Sequence, residues 1–351
     1  MTMKQQAATA GNTPDRPGKA LWAAVGLGAL IVANAIYKEA TKYKLRGKVV
    51  LITGGSRGLG LVLARQLAKK GAKLAICSRT SDQLDRARQE LEGMGAQVIA
   101  FTCDVTDRTQ VHSMMSNIRQ HYGRIDVLIN NAGVIQVGPL ETMTIEDYEE
   151  AMKAHFWAPL YTMMSVIPQM KQRGEGRIVN VTSVGGKIAL PHMVPYSASK
   201  FALVGLSEGM RSELKKDNVL VTTVVPDLTR TGSPRNVLVK GDHQAEYAWF
   251  KIADSLPLLT QSAEAAAARI ITAIEQGEAE VALTFSGRLL DAIHGVAPGF
   301  VADVMGFINE MLPEATPGGT GKLKGYELET DKSNNAFTTS TDKAARKNNE
   351  F

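Results

Sequence analysis

"KVVLITGGSRGLGLVLARQLAKKG", residues 48–71, passes from an apolar run through a glycine-rich turn into helical spacing. "KVVLIT" (48–53) shows no alternation, the mark of a strand buried on both faces, as in a parallel sheet. Leu59, Val62, Leu63 and Leu67 share one helical face, and Gly71 supplies the stop. Between them, "TGGSRGLG" (53–60) has glycines where a chain must turn tightly, let backbone N–H groups approach a pyrophosphate, and pack a helix on a strand. A glycine triplet alone is a weak signal. Strand, Gly54, Gly58, Gly60 and amphipathic helix in succession predict a dinucleotide-binding loop, with Thr53, Ser56, Arg57 and Leu59 in the same turn.

The same alternation continues outward from this unit. "KLAICS" (73–78), "AQVIAFTC" (96–103), "IDVLIN" (125–130), "GRIVNVTS" (176–183), "NVLVTTVV" (218–225) and "EVALTF" (280–285) are further apolar runs separated by helical patterns such as Val111, Met114, Met115 and Ile118. They predict a doubly wound α/β parallel sheet, a Rossmann fold, as a single domain over residues 48–285. Phe300, Val301, Val304, Ile308 and Met311 predict a helical extension over 286–312. It would cover the core or a subunit contact, or serve as a lid or membrane-facing surface. Residues 313–351, first Gly/Pro-rich and then polar, read as a disordered tail.

The formal net charge is +5, but residues 1–48 hold Lys4, Arg16, Lys19, Lys38, Lys42, Lys44, Arg46 and Lys48 against Asp15 and Glu39. The rest of the chain is therefore close to neutral, which argues against nucleic acid as a partner. Cys77 and Cys103 are too few for a disulfide framework and lack the neighbours of a zinc site. After a flexible stretch (1–19), "ALWAAVGLGALIVANAIY" (20–37) carries no ionised residue. Its helix would rise about 27 Å, close to a bilayer core of about 30 Å, with Trp22 and Tyr37 at the interfaces. We read it as a single-pass membrane anchor followed by a basic linker (38–47). The basic residues after the span set the C-terminal body on the cytoplasmic side. Ala33-Asn34-Ala35 leaves a cleaved signal peptide as an alternative, and a buried helix is a third.

The second apolar run ends in Cys77-Ser78-Arg79, without the acid that receives the ribose 2′-hydroxyl of NAD. Arg79 and Arg57 together suit a 2′-phosphate, so NADP(H) is the expected cofactor and NAD(H) the lesser one. In "PYSASKFAL" (195–203), Tyr196 and Lys200 would share a helical face, where a cation beside a phenol favours its ionisation. That pair is common by itself.

With Thr53-Gly54-x-x-x-Gly58-x-Gly60, Asp104-Val105, Asn130-Asn131-Ala132-Gly133, Ser183 and Tyr196-x-x-x-Lys200 in this order, the chain closely resembles the short-chain dehydrogenase/reductase family over 48 to about 231. The resemblance implies that Asp104 and Val105 meet the adenine and that the Asn131-Ala132-Gly133 backbone meets the cofactor ribose. It implies further that Tyr196 exchanges a proton with substrate, that Lys200 lowers its pKa and holds the nicotinamide ribose, and that Ser183 holds the substrate oxygen. No metal is required, and a homo-oligomer is expected.

Two positions depart from the family pattern. His155 stands where the family has an asparagine that holds a relay water; a histidine could keep such a relay or simply pack. Pro226-Asp227 replaces Pro-Gly, placing charge near the nicotinamide and close to Thr229 and Thr231, which the resemblance implies meet its carboxamide. The sequence thus reads as a membrane-anchored NADP(H) oxidoreductase acting on a ketone or secondary alcohol, with an apolar or lipid-like substrate suggested by the anchor. The alternative is a dinucleotide-binding scaffold or sensor without turnover. Residues 232–260, a candidate lid, have no pattern that converts into a shape.

Overall fold

The computed structural model describes residues 42–255, 260–316, 319–330 and 338–351. The strands of its main sheet, labelled in chain order, are β1 (Val49–Thr53), β2 (Lys73–Ser78), β3 (Val98–Thr102), β4 (Val127–Asn130), β5 (Gly176–Val181), β6 (Val219–Val225) and β7 (Glu280–Ala282). They lie in the order β3-β2-β1-β4-β5-β6-β7, and every neighbouring pair is parallel. The helices are α1 (Gly58–Lys69), α2 (Ser81–Gly93), α3 (Arg108–Tyr122), α4 (Ile145–Met152), α5 (Ala158–Arg173), α6 (Val194–Leu214), α7 (His243–Ala253), α8 (Ala263–Gln276), α9 (Phe285–Val296), α10 (Pro298–Asn309) and α11 (Thr339–Lys347).

The unbroken apolar character of β1 follows from its two covered faces. Val50 and Ile52 join a core with Leu63 and Leu67 of α1 and Ile270 and Ile274 of α8. Val49 and Leu51 join the opposite core, with Met115 and Ile118 of α3 and Met163 and Met170 of α5. The methionines of "VHSMMSNI" are core residues, as their spacing predicted. Chain order reverses at β1, which has β2 on one side and β4 on the other, so a crevice opens at the C-terminal ends of β1 and β4.

A buried polar chain ties that crevice to the next strands. Thr162 Oγ1 donates to Asn130 Oδ1 (2.7 Å), Asn130 Nδ2 to Asn180 Oδ1 (2.9 Å), and Asn180 Nδ2 to Ser207 Oγ (3.1 Å). Thr223 Oγ1 completes it with a 2.8 Å bond to Ser207 Oγ. Five elements (α5, β4, β5, α6 and β6) are thereby held in one register, and the helix bearing Tyr196 is among them.

Three expectations need correction. Residues 43–47 do not form a free linker: Tyr43 and Leu45 are buried in the core, Tyr43 N–H donates to Glu275 O at 2.8 Å, and the Arg177 guanidinium lies 4.4 Å from the Tyr43 ring. The tail is not a disordered strand of polar residues, because α11 and the residues after it pack on the body, with Ala345, Asn348 and Glu350 buried. Residues 43–351 accordingly form one unit. The candidate lid, too, is tied down: Leu238–Val239 pairs with Gln136–Val137 and Leu323–Lys324, and Lys240 forms a buried 2.5 Å ion pair with Asp147.

The helical extension turns outward. α9 and α10 meet at 120°, Val301 is buried, and Phe285, Val296, Phe300 and Phe307 are exposed. Among the described residues no single helix is long and apolar enough to cross a membrane. The expected anchor at 20–37 lies outside the described residues.

Replacing Asn180 with alanine strands Asn130 and Ser207 in a dry interior. Denaturant unfolding of Asn180→Ala should report a loss of about 1–3 kcal/mol per abandoned buried group. An unchanged midpoint would mean the chain contributes no stability.

Candidate active site

The glycine loop leaves β1 where side chains have no room. An ideal Cβ on Gly60 would lie 2.1 Å from the Gly54 carbonyl oxygen, and one on Gly54 would lie 3.0 Å from Ala132 Cα. Gly54 and Gly58 also take φ of +65° and +54°, where a side chain is strained. Thr53 then locks this loop to the one after β4: its Oγ1 accepts from the N–H groups of Asn131 (3.0 Å) and Ala132 (3.1 Å). Asn131 Nδ2 answers with bonds to the carbonyl oxygens of Thr53 (3.1 Å) and Gly54 (3.2 Å). Thr53, Gly54, Ser56, Gly58, Leu59, Gly60, Asn131, Ala132 and Gly133 are thus brought to one edge.

Ser183 follows β5 directly, and its Oγ accepts from Gly185 N–H at 3.0 Å. Tyr196 lies in the first turn of α6, and its ring edge and the Ser183 Oγ both border Gly185, 3.1 and 3.4 Å from an ideal Cβ there. One turn on, Lys200 is buried, its Nζ 5.7 Å from the Tyr196 ring centroid and 2.9 Å from Val181 O, to which it donates. The three side chains converge at the C-terminal edge of the sheet.

Their electrostatics differ from expectation. Burial pushes the Tyr196 phenol above its ordinary pKa, opposed by the Ser183 hydroxyl, while Lys200 itself is drawn down to about 7 by burial. A cation was expected to acidify the phenol; here the buried amine is too poorly solvated to hold its charge firmly.

His155 joins the group as a packed ring, the second of the two roles that the sequence left open. It lies in a π-helical turn, Lys153–Trp157, that bridges α4 and α5. Its Nε2 accepts from Val134 N–H (3.1 Å), so Nδ1 carries the proton and donates to Ser199 Oγ (2.7 Å). Ser199 passes its own hydrogen to the Tyr196 carbonyl oxygen (2.7 Å), and the His155 ring stands edge-on to the Tyr196 ring. Both ring nitrogens are therefore spent on clamping the loop after Gly133 to α6. Burial, and next the nearby Lys200, keep its pKa well below the usual histidine value, so the ring stays neutral. No lone pair is left for a water relay.

The other expected contacts scatter. Arg79 is exposed beyond β2, whereas Arg57 NH1 donates to Asn236 Oδ1 at 2.6 Å. Asp104 turns its Oδ1 onto Thr106 N (2.9 Å) and Thr106 Oγ1 (2.8 Å), and half-buried Val105 packs against the core. Thr229 Oγ1 donates to the Asp227 carbonyl (3.1 Å), while Thr231 reaches the glycine loop, 3.8 Å from an ideal Gly58 Cβ. The Asp227 carboxylate accepts from Thr284 Oγ1 and Ser286 Oγ at the start of α9, where a helix N-terminus favours negative charge. Ser199 and Asn236 had no distinguishing mark in the sequence, although Ser199 stands within "YSASK".

Known proteins resemble this chain in sequence and in fold. Residues 48–239 match the short chain dehydrogenase family profile. A dehydrogenase/reductase SDR family protein 7-like from Anopheles gambiae is 35% identical over 199 residues, 55% of this chain and 63% of that relative, so the chain spans less than two thirds of its length. The putative oxidoreductase SadH of Mycobacterium tuberculosis (strain H37Rv) is 32% identical over 250 residues, 70% of this chain and 90% of its own. Among solved structures, a gluconate 5-dehydrogenase from Burkholderia cenocepacia J2315, in complex with NADP and tartrate, superposes with a TM-score of 0.61 at 25% identity, covering 69% of this chain and 95% of that one.

Because the unfolded chain holds the Lys200 proton up to its ordinary pKa near 10.5 and the folded chain sheds it near 7, the folded state binds fewer protons between those values. Lys200 thus costs stability most below about pH 7, and the cost fades as pH rises. Lys200→Met should be the more stable protein at pH 7, and its lead over wild type should shrink by about 2 kcal/mol by pH 9. Unfolding free energies of both proteins, without added ligand, check this; a gap independent of pH would mean the buried amine keeps its proton.

Proposed function

The chain belongs to the short-chain dehydrogenase family, and from that membership we propose that it is an oxidoreductase moving a hydride between a nicotinamide dinucleotide and a ketone or secondary alcohol. The convergence of Ser183, Tyr196 and Lys200 beside the glycine loop carries the reading.

The residues present suit such a cofactor. Gly60 has no space for a side chain against Gly54 O, and the bare backbone of this loop is the cradle that a pyrophosphate requires. Residues 53–60 would hold the phosphates, Asp104 and Val105 the adenine, and the Asn131-Ala132-Gly133 backbone with Lys200 the riboses. Thr229 and Thr231 would meet the carboxamide. Arg57 and Arg79 are the groups that would favour a 2′-phosphate, so NADP(H) is the preferred form. When bound, the cofactor supplies the hydride.

Ser183 would orient the substrate oxygen and stabilise its developing negative charge. Tyr196 would donate the phenolic proton to that oxygen, so that hydride at carbon and proton at oxygen together make the alcohol. The Tyr196 phenol, its pKa raised by burial, is protonated at neutral pH and so holds the proton that carbonyl reduction would place on the substrate oxygen. His155 would act as a positioning residue, fixing α6 against the loop after Gly133. The exposed aromatic face of α9 and α10, together with the apolar span at 20–37, supports attachment to a membrane and an apolar carbonyl substrate, with the catalytic body on the cytoplasmic side.

Tyr196→Phe should lower the turnover of NADPH with a responsive ketone by about 10²–10⁴-fold, while the dinucleotide Kd moves less than about twofold, since no phosphate contact is lost. Binding without turnover on any ketone of a broad panel, in wild type and variant alike, would favour a scaffold or sensor. Arg79→Ala should reduce the preference for NADPH over NADH by about tenfold in kcat/KM, the value of one charge-assisted phosphate contact of about 1.4 kcal/mol. An unchanged ratio would remove Arg79 from cofactor selection.

A further inference from the structure

The segment after α11 lies across the phosphate-binding turn. Gly58 N–H, at the start of α1, donates to the Asn348 carbonyl oxygen at 2.9 Å. Asn349, at a left-handed φ of +59°, donates from Nδ2 to Ser56 O and Gln83 O, both at 2.8 Å. The buried Glu350 carboxylate accepts from Asn236 Nδ2 at 2.7 Å and lies 3.5 Å from Arg57 Nε. Its Oε1 presses so closely on the turn that an ideal Cβ on Gly58 would sit only 2.7 Å away.

These contacts use the groups that an anionic ligand would use. The Gly58 N–H belongs to the helix N-terminus and already has an acceptor; Arg57 already faces a carboxylate; and the space over Gly58 that its missing side chain leaves is filled. A pyrophosphate seated on the same turn would set its oxygens against the Asn348 carbonyl oxygen and the Glu350 carboxyl oxygens, acceptor against acceptor in the same space. Segment and dinucleotide therefore exclude one another. We propose that residues 348–351 are an autoinhibitory plug, an internal set of acceptor groups that competes with the dinucleotide phosphates for the 56–58 turn and must leave before cofactor binds. This rests on the reading of residues 53–60 as a dinucleotide loop. α11 supplies the hold from a distance: Ala345 is fully buried against Gly232, whose ideal Cβ would lie 2.3 Å from Ala345 Cα.

The full chain allows a direct test. Ala345→Arg has no room for its side chain and should eject α11 without touching the glycine loop, while Glu350→Ala removes the competing carboxylate with no demand on packing. Both should bind NADPH about tenfold more tightly than wild type by fluorescence titration. In wild type, trypsin should cut slowly after Lys343 and Arg346, and saturating NADPH should speed that cleavage several-fold. Equal or weaker NADPH binding in both variants, or a segment that stays protected at saturation, would overturn the plug while leaving the dinucleotide site in place. If neither NADPH nor NADH bound wild type or either variant, the dinucleotide reading itself would fall, and the plug with it.

Discussion

The missing side chain of Gly60 is the constraint from which the site is built. With only 2.1 Å between its would-be Cβ and the Gly54 oxygen, any other residue would push α1 off the end of β1. That contact sets how closely the helix approaches the turn, and the turn in turn receives the loop after β4 through Thr53 and Asn131. The loop continues to Val134, which His155 grips, and His155 grips α6 through Ser199. Placement of the Tyr196 phenol is therefore coupled by hydrogen bonds to a glycine 136 positions earlier. Hydrogen bonds of this kind each contribute little net stability, but leaving one buried partner unmade is costly, and the chain of them resists piecemeal change.

Much of this was legible because it repeats at short range. The strands read as unbroken apolar runs since both sheet faces are covered, and the glycine loop read as a loop since its spacing follows from one turn and one helix. Tyr196 and Lys200 lie one helical turn apart, so their convergence needed no tertiary information. What failed was long-range. Asp227 looked like a charge thrust toward the cofactor, yet α9 takes it up at its N-terminus, an acceptance that depends on where β7 delivers the chain. For His155 the sequence left relay and packing open, because it could not reveal that Val134 and Ser199 would claim both nitrogens. The 348–351 segment has a polar composition that reads as solvated, and its side-chain partners lie 114 to 293 residues away, beyond any periodic signal. The same holds for Tyr43, whose aromatic face is covered by Arg177.

The electrostatic state of the cleft follows from its closure. Lys200 is drawn down to about 7, Glu350 is raised to about 7, and Tyr196 is raised as well, each chiefly by burial. All three shifts run toward the neutral form, as burial imposes; at Glu350 it outweighs the opposing charge of Arg57, 3.5 Å away. These shifts belong to the protein with residues 348–351 seated on the phosphate turn. A dinucleotide whose ribose lies against Lys200, as proposed, would give the amine acceptors that favour its charged form, and an ammonium there would lower the Tyr196 pKa as the spacing of the pair predicts.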